Sequence, residues 1–422
     1  MDVSERIFTM FKLFANAQVL QPDMSIKHCD LLVQDDCFYD LLEPGAPCNK
    51  PVESEVDLDG QMVFPGLINA HDHLIDTCWT GLGETPVENW FEWDKSVRES
   101  REYKLMQRLS VTDLYVIGMY KNIISGATTV VDHFPSEVSA TFTGHNLVSL
   151  LEHFYMAHSV SHHQLKWGSN PAEQFRQARG ILPFIIHAGE GFHQDIREEI
   201  EQLNRMGAIE KNTILVNCTF LEEADLQLIA AKGSAIVWLP TSSSRIFGRH
   251  PNIKRIRELG IPLIVGTDSS ITGSTSFLAE LHNAWKYSQE NLQSSLTAKD
   301  LVKMATLDTA KIFGIEKQAG SILPGRKADF IVFQPQPDGD IFEQFIKMKP
   351  ENFSMVMHKG TMIIGNDEFR KISAIDFSQY SEVKIDGAAK ILYGQPSQLL
   401  ERIRHKLDEA IVFPFFDVAS ED

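Results

Sequence analysis

Two histidines one residue apart close an apolar run, Phe64-Pro-Gly-Leu-Ile-Asn-Ala-His71-Asp-His73. Alternate side chains of a strand point to one face, so His71 and His73 project together. Paired imidazoles at the end of a buried strand are half of a metal site. A bare His-x-His reads more often as two loop histidines facing solvent, so the rest of the chain must supply the other half. His187 ends the run Ile181–Ile186, and Asp268 ends Pro262–Thr267. Three neutral imidazoles and one carboxylate suit a single divalent ion, zinc ahead of iron(II), with a further position open to water. Taken singly, His187 reads equally as a core histidine and Asp268 as a helix cap.

Glu190 follows in His187-Ala-Gly-Glu190, where the glycine lets the loop curl the carboxyl group over the open position. There it would carry a proton between water and substrate; the structural alternative is an acid complementing the dipole of the helix that follows. His133 and His158 also stand at strand ends, as substrate contacts or as hydrogen-bonded structural histidines. The segment Ile75–Glu92, with Trp79 and Trp90, has the aromatic and acidic make-up of a pocket wall for a flat or apolar substrate. A surface loop packed on its own tryptophans is the alternative.

The elements that must position these residues alternate between strand and helix from Phe64 onward. Tyr103–Ser125 has helical apolar spacing and stops at Gly126, and Ala127–Val131 is a β-branched strand running into Asp132 and His133. Leu147–Ala157 reads as helix into strand, followed by strands Ile181–Ile186, Thr213–Val216, Ala235–Leu239 and Pro262–Gly266, with a helix over Leu221–Ala231. This pattern predicts an α/β fold, a distorted TIM-like (β/α) barrel over residues 64–319 whose chemistry sits at the strands' C-terminal ends. Only about seven barrel strands emerge, and a degenerate or missing one is expected between His158 and Ile181. Residues 1–63 and 320–376 are β-rich and are expected to pair into one discontinuous β-sandwich domain. Residues 377–422 read as a C-terminal helical extension, with a helix over Pro396–Ala410; the apolar Val412–Phe416 docks on the body or on another subunit, the latter giving a homodimer.

Composition narrows the partners. The 422 residues are 43% hydrophobic and 23% charged, ordinary for a globular protein. A net charge of −18 argues against nucleic acid and anionic membranes, no apolar run approaches the roughly 20 residues of a membrane span, and the acidic Met1–Arg6 does not read as a signal peptide. Five scattered cysteines suit free thiols and a cytoplasmic location. The expected partner is a small-molecule substrate.

The ordered set Phe64–His73, Gly126–Asp132, His187–Glu190 and Val265–Ser270 resembles the signatures of the amidohydrolase superfamily, in the branch of cytosine deaminase, guanine deaminase and atrazine chlorohydrolase. Gly320–Asp329 is similar to that branch's return strand into its β-domain. The resemblance implies a mononuclear metal held by His71, His73, His187 and Asp268, with Asp268 as base and Glu190 as proton shuttle. It also implies hydrolysis of a C–N bond in a small, flat heterocycle, as in a deaminase. Two departures stand out. Asn217 occupies the place of a catalytic histidine and cannot carry a charge or move a proton. Dinuclear members also need that histidine, plus a carboxylated lysine, so Asn217 argues for one metal even with Lys166 nearby in sequence. Ser244 lies where the branch often has an asparagine shaping the substrate pocket, and Ser269 adjoins Asp268 as a further substrate contact. Asn217 leaves open a divergent relative that binds a ligand or performs a non-standard reaction.

Overall fold

The structure, a computed structural model, describes residues 11–408 apart from 143, 146, 165, 167, 373 and 374, together with 413 and 415–418. Residues 1–10 of the expected β-domain, Met1–Arg6 among them, the last two residues of the helix expected over 396–410, and residues 412 and 414 of the apolar tail lie outside the described residues.

Five strands open the chain: β1 (Phe11–Leu20), β2 (Ile26–Gln34), β3 (Cys37–Leu42), β4 (Val52–Asp57) and β5 (Met62–Pro65). Near the other end stand β14 (Phe330–Phe333), β15 (Phe353–His358), β16 (Thr361–Gly365), β17 (Tyr380–Ile385), β18 (Ala388–Tyr393) and β19 (Asp417–Val418). β5 pairs antiparallel with β14, which joins both sets into one eleven-stranded sheet in the order β19-β17-β18-β16-β15-β14-β5-β1-β2-β3, with β4 also on β1. The sheet curls, since Cys37 bridges Lys327 and the Phe38 and Phe330 rings lie 5.8 Å apart. Its concave face encloses an apolar core that includes Phe14, Leu31, Phe38, Phe330 and Met357.

Two expectations at the C-terminal end change. Residues 377–422 are not purely helical, because β17 and β18 form a hairpin across Asp386 (φ 48°) and Gly387 (φ 88°) ahead of the helix Pro396–Leu407. Asp-Gly favours a tight turn of this positive-φ kind, a signal the sequence carried. The aromatic tail docks on the body of the same chain: Phe413, Phe415 and Phe416 are buried, and the Phe416 ring lies 5.7 Å from that of Tyr120.

Between the two sets run eight short parallel strands. β6 (Leu67–Asp72), β7 (Ala127–Asp132) and β8 (Ser149–Leu150) form one sheet; β9 (Tyr155–Ala157), β10 (Phe184–Ala188), β11 (Thr213–Asn217), β12 (Ala235–Trp238) and β13 (Leu263–Val265) form the other. The extra strand is not where it was expected. Helices Val160–Gln164 and Pro171–Ala178 occupy the stretch after His158, whereas β8 precedes β9 inside the segment that read as helix into strand. A two-residue strand is shorter than any periodicity can register. The single helix expected over 103–125 is likewise two, Arg101–Met106 and Val111–Ile124, the second starting where the Ser110 side chain accepts from the Asp113 amide.

The two parallel sheets meet beside the histidine pair. The amides of Thr267 and Asp268 both donate to the His71 carbonyl at 3.0 Å, and Asp72 and Asp268 form a parallel bridge. Gly266 permits this approach, because a Cβ there would lie 2.8 Å from the His71 backbone and Cβ. Among the described residues no helix is long and apolar enough to cross a membrane.

Candidate metal centre and active site

His71 is the fifth residue of β6 and His73 follows its last, so both face the same side. Asp72 between them points the other way, where it accepts from Lys121 Nζ at 2.7 Å and Asn122 Nδ2 at 2.6 Å. That buried pair fastens the strand to the helix Val111–Ile124 and fixes where the imidazoles project. His71 Nε2 stands 3.2 Å from His73 Nε2, and Asp268 Oδ1 is 3.7 and 3.4 Å from those two nitrogens.

Asp268 has φ +72°, a left-handed conformation costing about 1–3 kcal/mol outside glycine. Its other oxygen, Oδ2, accepts from Ser242 Oγ at 2.5 Å and Thr272 Oγ1 at 2.7 Å, which leaves Oδ1 toward the histidines. His187 is the last residue but one of β10, and its Nδ1 lies 3.0 Å from Glu190 Oε1, the turn between them made at Gly189 with φ +67°. Burial alone would lower the His187 pKa, but the adjacent Glu190 carboxylate outweighs it and the net shift is upward. Burial holds His71 neutral, its pKa well below the ordinary value, with the neighbouring imidazoles adding to the effect.

Glu190 Oε1 also accepts from Asn217 Nδ2 at 2.8 Å. Asn217, the last residue of β11 and itself at φ +72°, accepts through Oδ1 from Thr219 Oγ1 at 2.6 Å and Ser243 Oγ at 2.7 Å. Its amide orientation is thereby set.

The donor set suits a divalent metal. Single ligand atoms of His71, His73 and Asp268 lie within 4.8 Å of one another, and so do those of His71, His133 and His187. Neutral imidazole nitrogens with one carboxylate are the donors that zinc and comparable ions take.

Above the cluster opens a cavity of about 430 Å³ whose floor includes His73, His187, Glu190 and Asp268. Trp90, Trp93, Phe134 and Phe247 line its walls, with Asp76, Arg98 and His158 among the polar groups. Burial, with the Asp268 charge nearby, pushes the Asp76 carboxyl up to about 7; burial brings His158 down to about 3. Trp90 stacks on His162 at 3.5 Å and donates from Nε1 to Ser161 Oγ at 3.1 Å. Ser161 in turn donates to Glu199, whose second oxygen accepts from the Gly189 amide. The wall and the loop carrying Glu190 are thus one network.

Of the residues expected to touch substrate, His158, Trp90 and Ser269 line the cavity, whereas His133, Trp79 and Ser244 do not. His133 is fully buried among the other imidazoles. Trp79 packs against the main apolar core. Ser244 is exposed because residues 240–247 form a helix, which turns Ser242 and Ser243 inward in its place. Those two serines, Thr272, Asp76, Arg98 and His162 join the site without a motif that marks them. The run Thr241–Ser244 offered the only cue to the serines, and helical phase decides which of them face in.

Parallel strands whose ends gather imidazoles and carboxylates under a cavity make an α/β protein with a candidate metal site. Comparison with known proteins gives what the chain is similar to. Residues 181–363 match the model of the amidohydrolase family. A relative named 5-methylthioadenosine/S-adenosylhomocysteine deaminase from Teredinibacter turnerae is 24% identical over 356 residues, 72% of this chain and 79% of its own length. The zinc-bound structure of an adenosine deaminase from Xanthomonas campestris superposes with a TM-score of 0.69 at 17% identity, covering 94% of this chain and 98% of that one. Zinc-bound atrazine chlorohydrolase of Arthrobacter aurescens gives a TM-score of 0.70 at 14% identity over 94% and 100%. Over residues 181–363 the chain is thus similar to amidohydrolases, and the relatives and structural neighbours it resembles include deaminases.

Proposed function

We propose that this protein removes the exocyclic amino group of an adenine-type nucleoside, using one zinc ion, or iron(II) in its place, held by His71, His73, His187 and Asp268. The carrying observation is the cluster of His71, His73 and Asp268, with the His187 ring 4.8 Å from that of His71, beneath an aromatic-walled cavity with Glu190 at its floor. A volume of about 430 Å³ falls in the range of small-molecule sites, and the names of the relative and of the adenosine deaminase point to the nucleoside.

On this reading the eight parallel strands form a distorted (β/α) barrel over residues 64–319, joined beside His71 and Asp268. Residues 11–63 and 320–372 form the composite β-domain, extended by the hairpin of β17 and β18. Five free cysteines fit a reducing cytoplasm.

When bound, the ion supplies Lewis acidity and a water acidic near neutral pH. Asp268, its Oδ2 held by Ser242 and Thr272, takes a proton from the attacking water. Glu190, oriented by Asn217, relays that proton to the departing nitrogen, which leaves as ammonia. Trp90 and its aromatic neighbours hold the flat ring and exclude water, and His158 and Ser269 contact the substrate.

The test is ammonia release by metal-loaded protein from adenosine and from adenine nucleosides altered at the 5′ position, with guanine and cytosine as controls. Turnover of the adenine nucleosides supports the proposal. One equivalent of metal with no ammonia from any of them favours instead a ligand-binding relative without turnover, the reading that Asn217 motivates because an amide cannot move a proton.

A further inference from the structure

His133 follows the last residue of β7 and is fully buried, yet among the described residues neither ring nitrogen has a hydrogen-bond partner. Burying even one polar nitrogen unpaired costs about 1–3 kcal/mol, so an imidazole with two calls for an occupant. Its ring is centred 4.8 Å from that of His71, 4.7 Å from His187 and 5.4 Å from His73. It does not line the cavity, so substrate does not reach it.

We infer that His133 is a further ligand of the metal centre, completing a four-imidazole set with His71, His73 and His187 beside Asp268. Ligand nitrogens of His71, His133 and His187 lie within 4.8 Å of one another. Two nitrogens bound to one zinc at about 2.0–2.1 Å each stand at most about 4.2 Å apart. At the tetrahedral angle such nitrogens stand about 3.4 Å apart, so shifts of up to about 0.7 Å in each bring all three onto one ion. The strand ends explain why the position carries an imidazole. β11 ends in Asn217, whose Oδ1 and Nδ2 are committed to Thr219, Ser243 and Glu190, so β11 contributes no nitrogen ligand and β7 supplies one.

The inference rests on the metal-centre reading above, and ligand counting separates the two. Full-length protein carrying ¹⁵N-histidine is loaded with ¹¹³Cd, and the one-dimensional cadmium spectrum reads how many imidazole nitrogens split the resonance. Four couplings are expected. Three couplings with one bound equivalent would overturn the role of His133 and leave the metal centre standing. No cadmium uptake would remove the metal centre itself. In parallel, Co(II)-loaded His133→Gln should show a changed d–d absorption band and should lose metal to a chelator more than the roughly 10–100-fold that loss of an outer hydrogen-bond partner produces. An unchanged band with wild-type retention would count against the assignment. So would a second equivalent of metal lost with His133 while the first keeps its spectrum.

Discussion

Asn217 Nδ2 donates to Glu190 Oε1 at 2.8 Å, while Asn217 Oδ1 accepts from both Thr219 and Ser243. Because the Glu190 carboxylate can only accept, the amide N–H faces it and Oδ1 is left to the two hydroxyls. Asn217 thus acts through Glu190 as a positioning residue. His187 approaches the same Glu190 oxygen at 3.0 Å, so the carboxyl group is held from two strands at once.

Replacing Asn217 with alanine removes one oriented hydrogen bond and leaves two hydroxyls without an acceptor. One such bond is worth about 0.5–1.5 kcal/mol, so kcat should fall about tenfold while KM moves by less than about threefold. Steady-state kinetics on the substrate found in the ammonia screen decide this. Wild-type kcat in the alanine variant would show that Glu190 needs no such support.

Glu190→Gln keeps the size of the side chain and its place beside His187 but takes away the proton it delivers. Metal content should stay at one equivalent, and turnover should drop at least a hundredfold on the usual worth of a positioned acid–base group. Elemental analysis and kcat on the same sample separate the two effects. Undiminished turnover with full metal would remove the shuttle role.

His73 offers its Nε2 between His71 and Asp268. His73→Ala takes away the imidazole that stands 3.4 Å from Asp268 Oδ1 and leaves no donor in its place, so the affinity for the ion falls. The purified variant should carry well under one equivalent of metal and show no activity until excess metal is added. Full stoichiometric metal would mean that this histidine is not a ligand.

Much of the site was legible because strand ends are. His71, His187 and Asp268 each close a short apolar run, and strands buried on both faces read as unbroken apolar segments. What stayed hidden was decided by three-dimensional phase. Ser244 was chosen over Ser242 and Ser243, yet the helix Pro240–Phe247 turns Ser244 to solvent and the other two onto Asp268 and Asn217. His133 looked like a substrate contact from its place after β7, but the packing of β6, β7 and β10 puts its ring among His71, His73 and His187. No residue pattern announces that Asp268 and Asn217 both adopt φ near +72°, because that geometry comes from what the strand ends are pulled against. β8 spans only Ser149–Leu150, too short for a period to show, whereas the Asp386-Gly387 turn was readable and was passed over beside the stronger helical pattern after Pro396.

Away from the metal centre, Glu280 provides a pH test of stability. It is fully buried, accepts from the Thr241 and Ser274 amides, and burial pushes its pKa up to about 7 despite those bonds. Unfolded, the carboxyl returns to the ordinary value of about 4.3. The folded state therefore holds this proton over a pH range in which the unfolded chain has released it. The stabilisation is complete below the unfolded value and is lost as pH rises through about 7. The slope from this one group approaches about 1.4 kcal/mol per pH unit between those limits. Glu280→Gln keeps a neutral hydrogen-bonding group and has no proton to lose. Urea titrations of the two proteins at pH 5, 6, 7 and 8 should show the wild type losing stability relative to the variant up to about pH 7 and running parallel to it above. A constant difference across that range would place the Glu280 pKa at its ordinary value.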